Sequence, residues 1–225
     1  MIGLIVFAAS TIEGSAATWS SLAIVDSFET SESVGDIFYW IFLVAMVTTR
    51  GFGAQIIAKL GRVASLRVSA VLVAVGVVMF AFGPAFAMVG VGMILWGLGA
   101  GLGVPIGFSA ASDDPRRAAA RVAAVSSFAT IAGLVMPQVI GHLGEVVELR
   151  KALTVVCGAA VLSFLIARAV RAEGPLLRSH RAIARRASMA ETADTDSISI
   201  VVVDGVEPVQ AAPEDRARRG DTLKP

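Results

Sequence analysis

From Val68 to Ser112 the chain contains no Asp, Glu, Lys or Arg, and neither does the stretch from Met1 to Ile12. Uncharged apolar runs of 18 or more residues mark helices that cross hydrocarbon, where no water is present to hydrogen-bond an exposed backbone. Composition points the same way. Hydrophobic residues make up 56% of the chain and charged residues 16%, too little charge to cover a soluble domain of this length. The net charge of +1 does not point to nucleic acid. Met1 leads straight into an apolar run with no Lys or Arg before it. More hydrophobic segments follow, so a retained span is expected rather than a cleaved signal. The abrupt start suggests a chain that begins where a longer relative would be in mid-course.

Apolar length and the charges in between predict six spans, at about Ile2–Val25, Ile37–Ala58, Val68–Phe82, Ala85–Ala111, Arg117–Leu143 and Lys151–Val170. An acidic stretch with Asp26, Glu29, Glu32 and Asp36 separates the first two, and Gly83-Pro84 breaks the chain between the third and fourth. Lys59, Arg62 and Arg67 follow the second span, Arg116, Arg117 and Arg121 the fourth, and Arg168 and Arg171 close the sixth. With six spans these clusters fall on one side, which the positive-inside rule makes cytoplasmic, together with both termini. The opposite side has only Arg150 and Lys151 beside the acidic loop. The expected division is a transmembrane domain over 1–171 and a cytoplasmic, mostly disordered tail over 172–225. The tail opens with the basic cluster Arg178, Arg181, Arg185 and Arg186 and continues rich in Ala, Asp and Ser.

Polar residues inside the spans are candidates for function, because hydrocarbon tolerates them only when they are paired or face a cavity. Glu13 lies near the middle of the first span, where a carboxylate costs roughly 3 kcal/mol. At helical spacing it shares a small, polar face with Ser10, Ala17 and Ser20. That face suits a proton-binding or substrate-binding carboxylate, or a structural carboxyl bonded to a neighbouring helix. Trp19 lies off it, as an aromatic wall or an interface anchor. Arg50, inside the second span, requires a carboxylate or helix-end carbonyls, in a gating or structural role. In the fifth span Ser127, Thr130, Gln138, Gly141 and His142 fall on about a third of the circumference. Pro137 frees a backbone carbonyl among them. Gln138 is suited to bonding a ligand, and His142 reads as a solvated interfacial residue. Ser20 and Thr130 complete the expected pathway.

The fourth span is rich in glycine. Gly97 with Gly101, Gly99 with Gly103, and Gly103 with Gly107 are small-xxx-small pairs, which allow close helix contact. No dinucleotide loop is present, since Leu102 stands where a third glycine would be required after Gly97 and Gly99. The third and sixth spans are almost purely aliphatic and are expected to face lipid. Cys157 stands alone in an apolar run and reads as a small hydrophobe.

Glu13-Gly14-Ser15-Ala16-Ala17-Thr18-Trp19-Ser20 resembles the start of the seventh helix in the fucose-permease-like branch of the major facilitator superfamily. Thr49-Arg50-Gly51-Phe52-Gly53, with Lys59-Leu60-Gly61-Arg62 after it, resembles the eighth helix and its cytoplasmic loop. Gly97-Leu98-Gly99 through Val104-Pro105 and Phe108-Ser109 is similar to the tenth helix, and Gly133 to Gly144 to the eleventh. The resemblance covers residues 1–171. It implies the C-terminal six-helix half of a twelve-helix carrier, with the third and sixth helices peripheral. Lys59 and Arg62 would be the loop charges of the gate. Two acids of the pattern are missing: Ala58 precedes Lys59, and Thr18 precedes Trp19.

The sequence therefore predicts an all-α membrane protein, multi-pass in the plasma membrane or a cell inner membrane. Its expected function is transport of a small solute by alternating access, with proton coupling through Glu13. Its expected partners are the bilayer, the solute and a second six-helix half, either another copy or a separately encoded N-terminal half. Neither cofactor nor metal is implied, and no catalytic constellation is visible; His142 and His180 are too far apart to make one. The alternative is a non-transporting membrane interaction protein, or an inactive fragment of a shortened transporter gene.

Overall fold

The computed structural model describes residues 1–171, so the expected tail lies outside the described residues. Within them the chain is all α-helix, with no strand. In chain order the elements are α1 (Ile2–Phe28), α2 (Glu32–Gly51), α3 (Gly53–Phe82), α4 (Phe86–Ala100), α5 (Gly103–Ala111), α6 (Ala118–Val146), α7 (Leu149–Ala152) and α8 (Val155–Ile166), closed by a 3-10 turn over Ala167–Val170. Taking α4 with α5, and α7 with α8 and the final turn, gives six segments of 20 to 30 residues, apolar enough to cross a membrane. A hydrocarbon layer about 30 Å thick needs about 20 helical residues.

Three expected boundaries move. Glu29 closes α1 in the left-handed conformation (φ 48°), so Glu32 and Asp36 lie within α2 rather than in a loop. The second helix ends at Gly51, not Ala58, and residues 53–60 count with the third. The helical ladder nevertheless crosses this junction, because Phe52 N–H donates to Thr48 O at 3.2 Å and Ile56 N–H to Phe52 O at 3.0 Å. The backbone leaves helical geometry at Gly61 (φ 78°, ψ 159°), a conformation that glycine adopts without a Cβ penalty. The break thus falls within the basic Lys59–Arg62 stretch.

The fourth span is the centre of the bundle, and its missing side chains are the reason. A Cβ on Gly97 would lie 2.9 Å from the Ala45 methyl, and one on Gly101 would lie 2.8 Å from Met46 O, both on α2. On Gly99 it would lie 2.6 Å from Ser69 O of α3. On Gly103 it would meet Ala9 of α1 at 2.7 Å, and on Gly107 the side chain of Val6. The five glycines thus set one helix against three neighbours. Trp96, fully buried, fills the gap above them, edge-on to Phe42 and Phe80 with ring centroids 5.8 and 5.7 Å away.

The outward faces are apolar at the same spacing. On α3, Leu66, Ala70, Val73, Val77 and Phe80 are buried, while Val68, Val71, Val75, Val78 and Phe82 are roughly half exposed. Water would penalise such a stripe and hydrocarbon does not. Helix α3 is not merely peripheral, since its inner stripe packs on α4 and α8. The least engaged span is the fifth, where only Val125, Ala132 and Ile140 of α6 are buried.

Arg150 was expected as a loop charge. It is instead 6% exposed and caps the end of α3. Its Nε and Nη2 donate to Phe80 O at 3.0 and 2.7 Å, and Nη2 also donates to Gly83 O at 2.7 Å. The guanidinium lies over the Phe28 ring, 4.7 Å from its centroid. Helix-end carbonyls are unsatisfied in a helix that stops at Gly-Pro, and a cation there also meets the negative end of the macrodipole. Nearby, hydrogen bonds from Lys151 and Ser27 hold the Glu148 carboxyl below the usual carboxylate range. Arg150→Ala leaves two buried carbonyls without their donor and should lower stability by about 3 kcal/mol. Thermal unfolding in detergent micelles reads this out, with Arg150→Lys keeping part of the loss.

Candidate functional site

The side chains of α1 sort into two faces. Ile12, Ser15, Ala16 and Ser20 point into the bundle; Ala17 and Thr18 are exposed, and Ser10, Glu13, Gly14 and Ser21 are half-buried beside them. Glu13 thus stands on a stripe of small and polar residues that α2 covers only in part. Ser20 is not on it. Its hydroxyl is fully buried and has no hydrogen-bond partner among the described residues. The outward serine is Ser21, which donates to Asp36 Oδ1 at 2.8 Å.

Glu13 and Arg50 meet. Arg50 Nη2 lies 2.6 Å from Glu13 Oε2, with the two side chains 35% and 30% exposed. The first two helices run in opposite directions, which carries the end of α2 back to the middle of α1. Arg50 Nε also donates, at 3.4 Å, to Gly101 O in the short break between α4 and α5. That carbonyl is available for a chemical reason. Its helical donor would be the N–H of the residue four positions on, which is Pro105 and has none. One guanidinium therefore ties α2 to a carboxylate of α1 and to a proline-freed carbonyl of the fourth span. Both kinds of acceptor that an intramembrane arginine requires are present. Close by, Trp96 Nε1 donates to Ile12 O at 3.2 Å, fixing α4 against α1 one residue from Glu13.

A second pair closes one end of the bundle. Arg62, just past the Gly61 break, reaches Asp113 in the loop after α5 with Nη1–Oδ2 at 2.5 Å and Nη2–Oδ1 at 2.9 Å. Its Nη2 also donates to Ser109 Oγ at 2.8 Å. Parallel bonds of this kind fit the planar guanidinium fork. The acid missing at position 58 is thus matched by one from another loop. Lys59 is exposed and forms no ion pair among the described residues.

The fifth-span stripe stays apart from both pairs. Ser127 and Thr130 donate to carbonyls of their own helix, Ala123 O at 3.2 Å and Ser126 O at 3.1 Å. Gln138 is exposed, and no hydrogen bond joins Thr130 or Gln138 to Glu13 or Arg50 among the described residues. His142 is exposed and lies 3.2 Å from Glu145, one turn along. Trp19 packs at the seam of α1 and α6, where a Cβ on Gly141 would lie 3.0 Å from its ring. No cluster of His, Cys, Asp and Glu that could hold a metal is present among the described residues.

The sequence pointed to Glu13 and Arg50 singly and missed what joins them. Pro105, four residues after Gly101, was the available signal for the carbonyl. Asp113 was visible as the first acid after a long charge-free run, but nothing local ties it to Arg62. Charge removal at the first pair tests the geometry. Glu13→Gln, Arg50→Gln and the double variant, unfolded thermally in micelles, should show a coupling of about 1 kcal/mol, in keeping with a pair that is part exposed.

No family model matches the sequence. The chain is 31% identical over 151 residues to a protein named "Uncharacterized transporter y4wD" of Sinorhizobium fredii (strain NBRC 101917 / NGR234), a match covering 67% of this chain and 40% of that protein. It is also 31% identical over 163 residues to "Membrane protein MosC" of Rhizobium meliloti, covering 72% of this chain and 40% of the relative. The chain thus spans about two fifths of the curated relatives it matches. Six apolar helices and these similarities together make it a multi-pass membrane protein.

Proposed function

We propose that this chain is a six-helix half of a secondary carrier of major facilitator type, moving a small solute by alternating access, with Glu13 as the proton-coupling carboxylate. The observation that carries the reading is the Glu13–Arg50 pair on the part-open stripe of α1. A structural ion pair is best placed inside a bundle. This one faces outward, as a pair lining a path between two halves would. The similarity to a protein named as a transporter supports the reading, and so does a match that leaves room for a second half in that relative.

In this scheme the carboxylate has two states. Ionised, it holds Arg50 and through it the Gly101 carbonyl, keeping α1, α2 and the fourth span together. Protonated, it loses most of its attraction for the guanidinium, which can then move with α2 or bind an anionic group of the solute. Thr130 and Gln138 would reach the solute from α6. The Arg62–Asp113 pair acts as a latch at the end where α3 and α5 meet, placed on the cytoplasmic side together with both termini. The second half is a separate six-helix unit or another copy, related by an axis along the membrane normal as the two halves of this superfamily are. The scheme assigns no catalytic chemistry and no cofactor.

The coupling step is tested in proteoliposomes holding the assembled carrier. Solute uptake should follow an imposed proton gradient, and Glu13→Gln should reduce gradient-driven uptake by about ten-fold or more. Solute exchange without a gradient should persist. Uptake unchanged in Glu13→Gln would remove the coupling role. A second reading, a membrane interaction protein without transport, is favoured by the missing acids at Ala58 and Thr18. Thr18→Cys, exposed on the open stripe, separates the two: a specific crosslink to another six-helix chain in native membranes supports the carrier, and its absence supports the second reading.

A further inference from the structure

At the end of the bundle that holds the Gly61 break, a groove of about 720 Å³ opens between α3 and the end of the sixth span. Its lining combines three arginines, Arg62, Arg67 and Arg171, with the aliphatic side chains of Ile57, Leu60 and Val68. Of the three arginines, Arg62 is occupied by Asp113. Arg67 is not. It takes part in no ion pair among the described residues. Its guanidinium is held over the Phe164 ring, 5.1 Å from the centroid, and its buried Nε has no hydrogen-bond partner among the described residues.

Arg67 follows Arg62 by five residues, so it sits about 7.5 Å further along the helix. That places a cation below the charged end of the bundle and above the purely apolar stripe that begins at Val68. A guanidinium at such a depth needs an anion or a route to water. Two of the lining residues, Ile57 and Val63, pack against a buried cluster of Ile5, Leu66, Ile106, Ala167 and Val170. Arg171 leaves the final 3-10 turn directly beside it.

From this arrangement we infer that the groove is a binding site for the phosphate of an anionic phospholipid, held by Arg67 and Arg171, with an acyl chain along Val68 and the exposed Val71 and Val75 beyond it. The Arg67 guanidinium donates to the phosphate oxygens in charge-assisted hydrogen bonds. The aliphatic wall is what favours a lipid over free phosphate, since an inorganic anion has nothing to place there. The site is independent of the transport reading and of Glu13.

The test uses the full-length chain in detergent micelles, titrated with short-chain phosphatidylglycerol, short-chain phosphatidylcholine and inorganic phosphate, and read by native mass spectrometry. Phosphatidylglycerol should bind with saturation and phosphatidylcholine more weakly. Arg67→Gln should weaken phosphatidylglycerol by about five-fold, as loss of one charge near a lipid surface predicts, and Arg67→Lys should retain most of the binding. Arg171→Gln, which touches no buried cluster, should weaken it similarly and serves if Arg67→Gln does not fold. Equal binding of the two lipids, or binding indifferent to both substitutions, would overturn the site. Inorganic phosphate that displaces the lipid at equal concentration would overturn the lipid as its source.

Discussion

Hydrocarbon offers no hydrogen bonds, and the charges that join helices in this bundle, Glu13, Arg50, Arg62 and Arg150, each have a protein partner. Glu13 and Arg50 neutralise each other in mid-span, and Arg50 takes a second acceptor from a carbonyl that Pro105 leaves without its donor. Arg150 donates from Nε and Nη2 to the end of α3. Arg62 crosses to Asp113. These three arginines connect helices that the aliphatic faces alone would leave free to slide, because apolar packing within lipid lacks a hydrophobic driving force. The glycines of the fourth span supply the remaining constraint, a distance of approach that any side chain would prevent.

The same devices explain why the bundle can be both firm and asymmetric. Its firm side is the seam of α3 and α4, locked by Gly92, Gly99 and Trp96 against Phe80. Its looser side is α6, which buries only three residues and exposes Ser127, Thr130 and Gln138. The break at Gly101 and Leu102 lies between these regions, next to the ion pair. A fourth span divided into α4 and α5 has a ready point of flexure where the central charges are held.

Much of the fold was legible in the sequence, because charge-free length and basic flanks act over windows that local reading can see. Four of the six spans fall close to where apolar length put them. The junction of the second and third does not, since a continuing helical ladder through Phe52 leaves no mark in composition. The site was legible only in parts. Cost in hydrocarbon singled out Glu13 and Arg50, but their meeting depends on antiparallel packing. Ser20 was misassigned because it lies at the margin of the polar face, where a small rotation of α1 turns it inward. Arg150 was missed because a basic residue before a span reads as an ordinary flank, and only the carbonyls of Phe80 and Gly83 give it another role.

The central claim is that the outer stripe of α3 faces lipid while the Glu13 stripe of α1 faces a polar path. Spin labels at Val75→Cys and Thr18→Cys, placed in a Cys157→Ala background and reconstituted in bilayers, measure this directly through collision with oxygen and with a water-soluble nickel chelate. The account predicts that the label at position 75 relaxes mainly with oxygen and the label at 18 mainly with nickel. A label at 75 that favours nickel, or one at 18 as lipid-exposed as the label at 75, would contradict it.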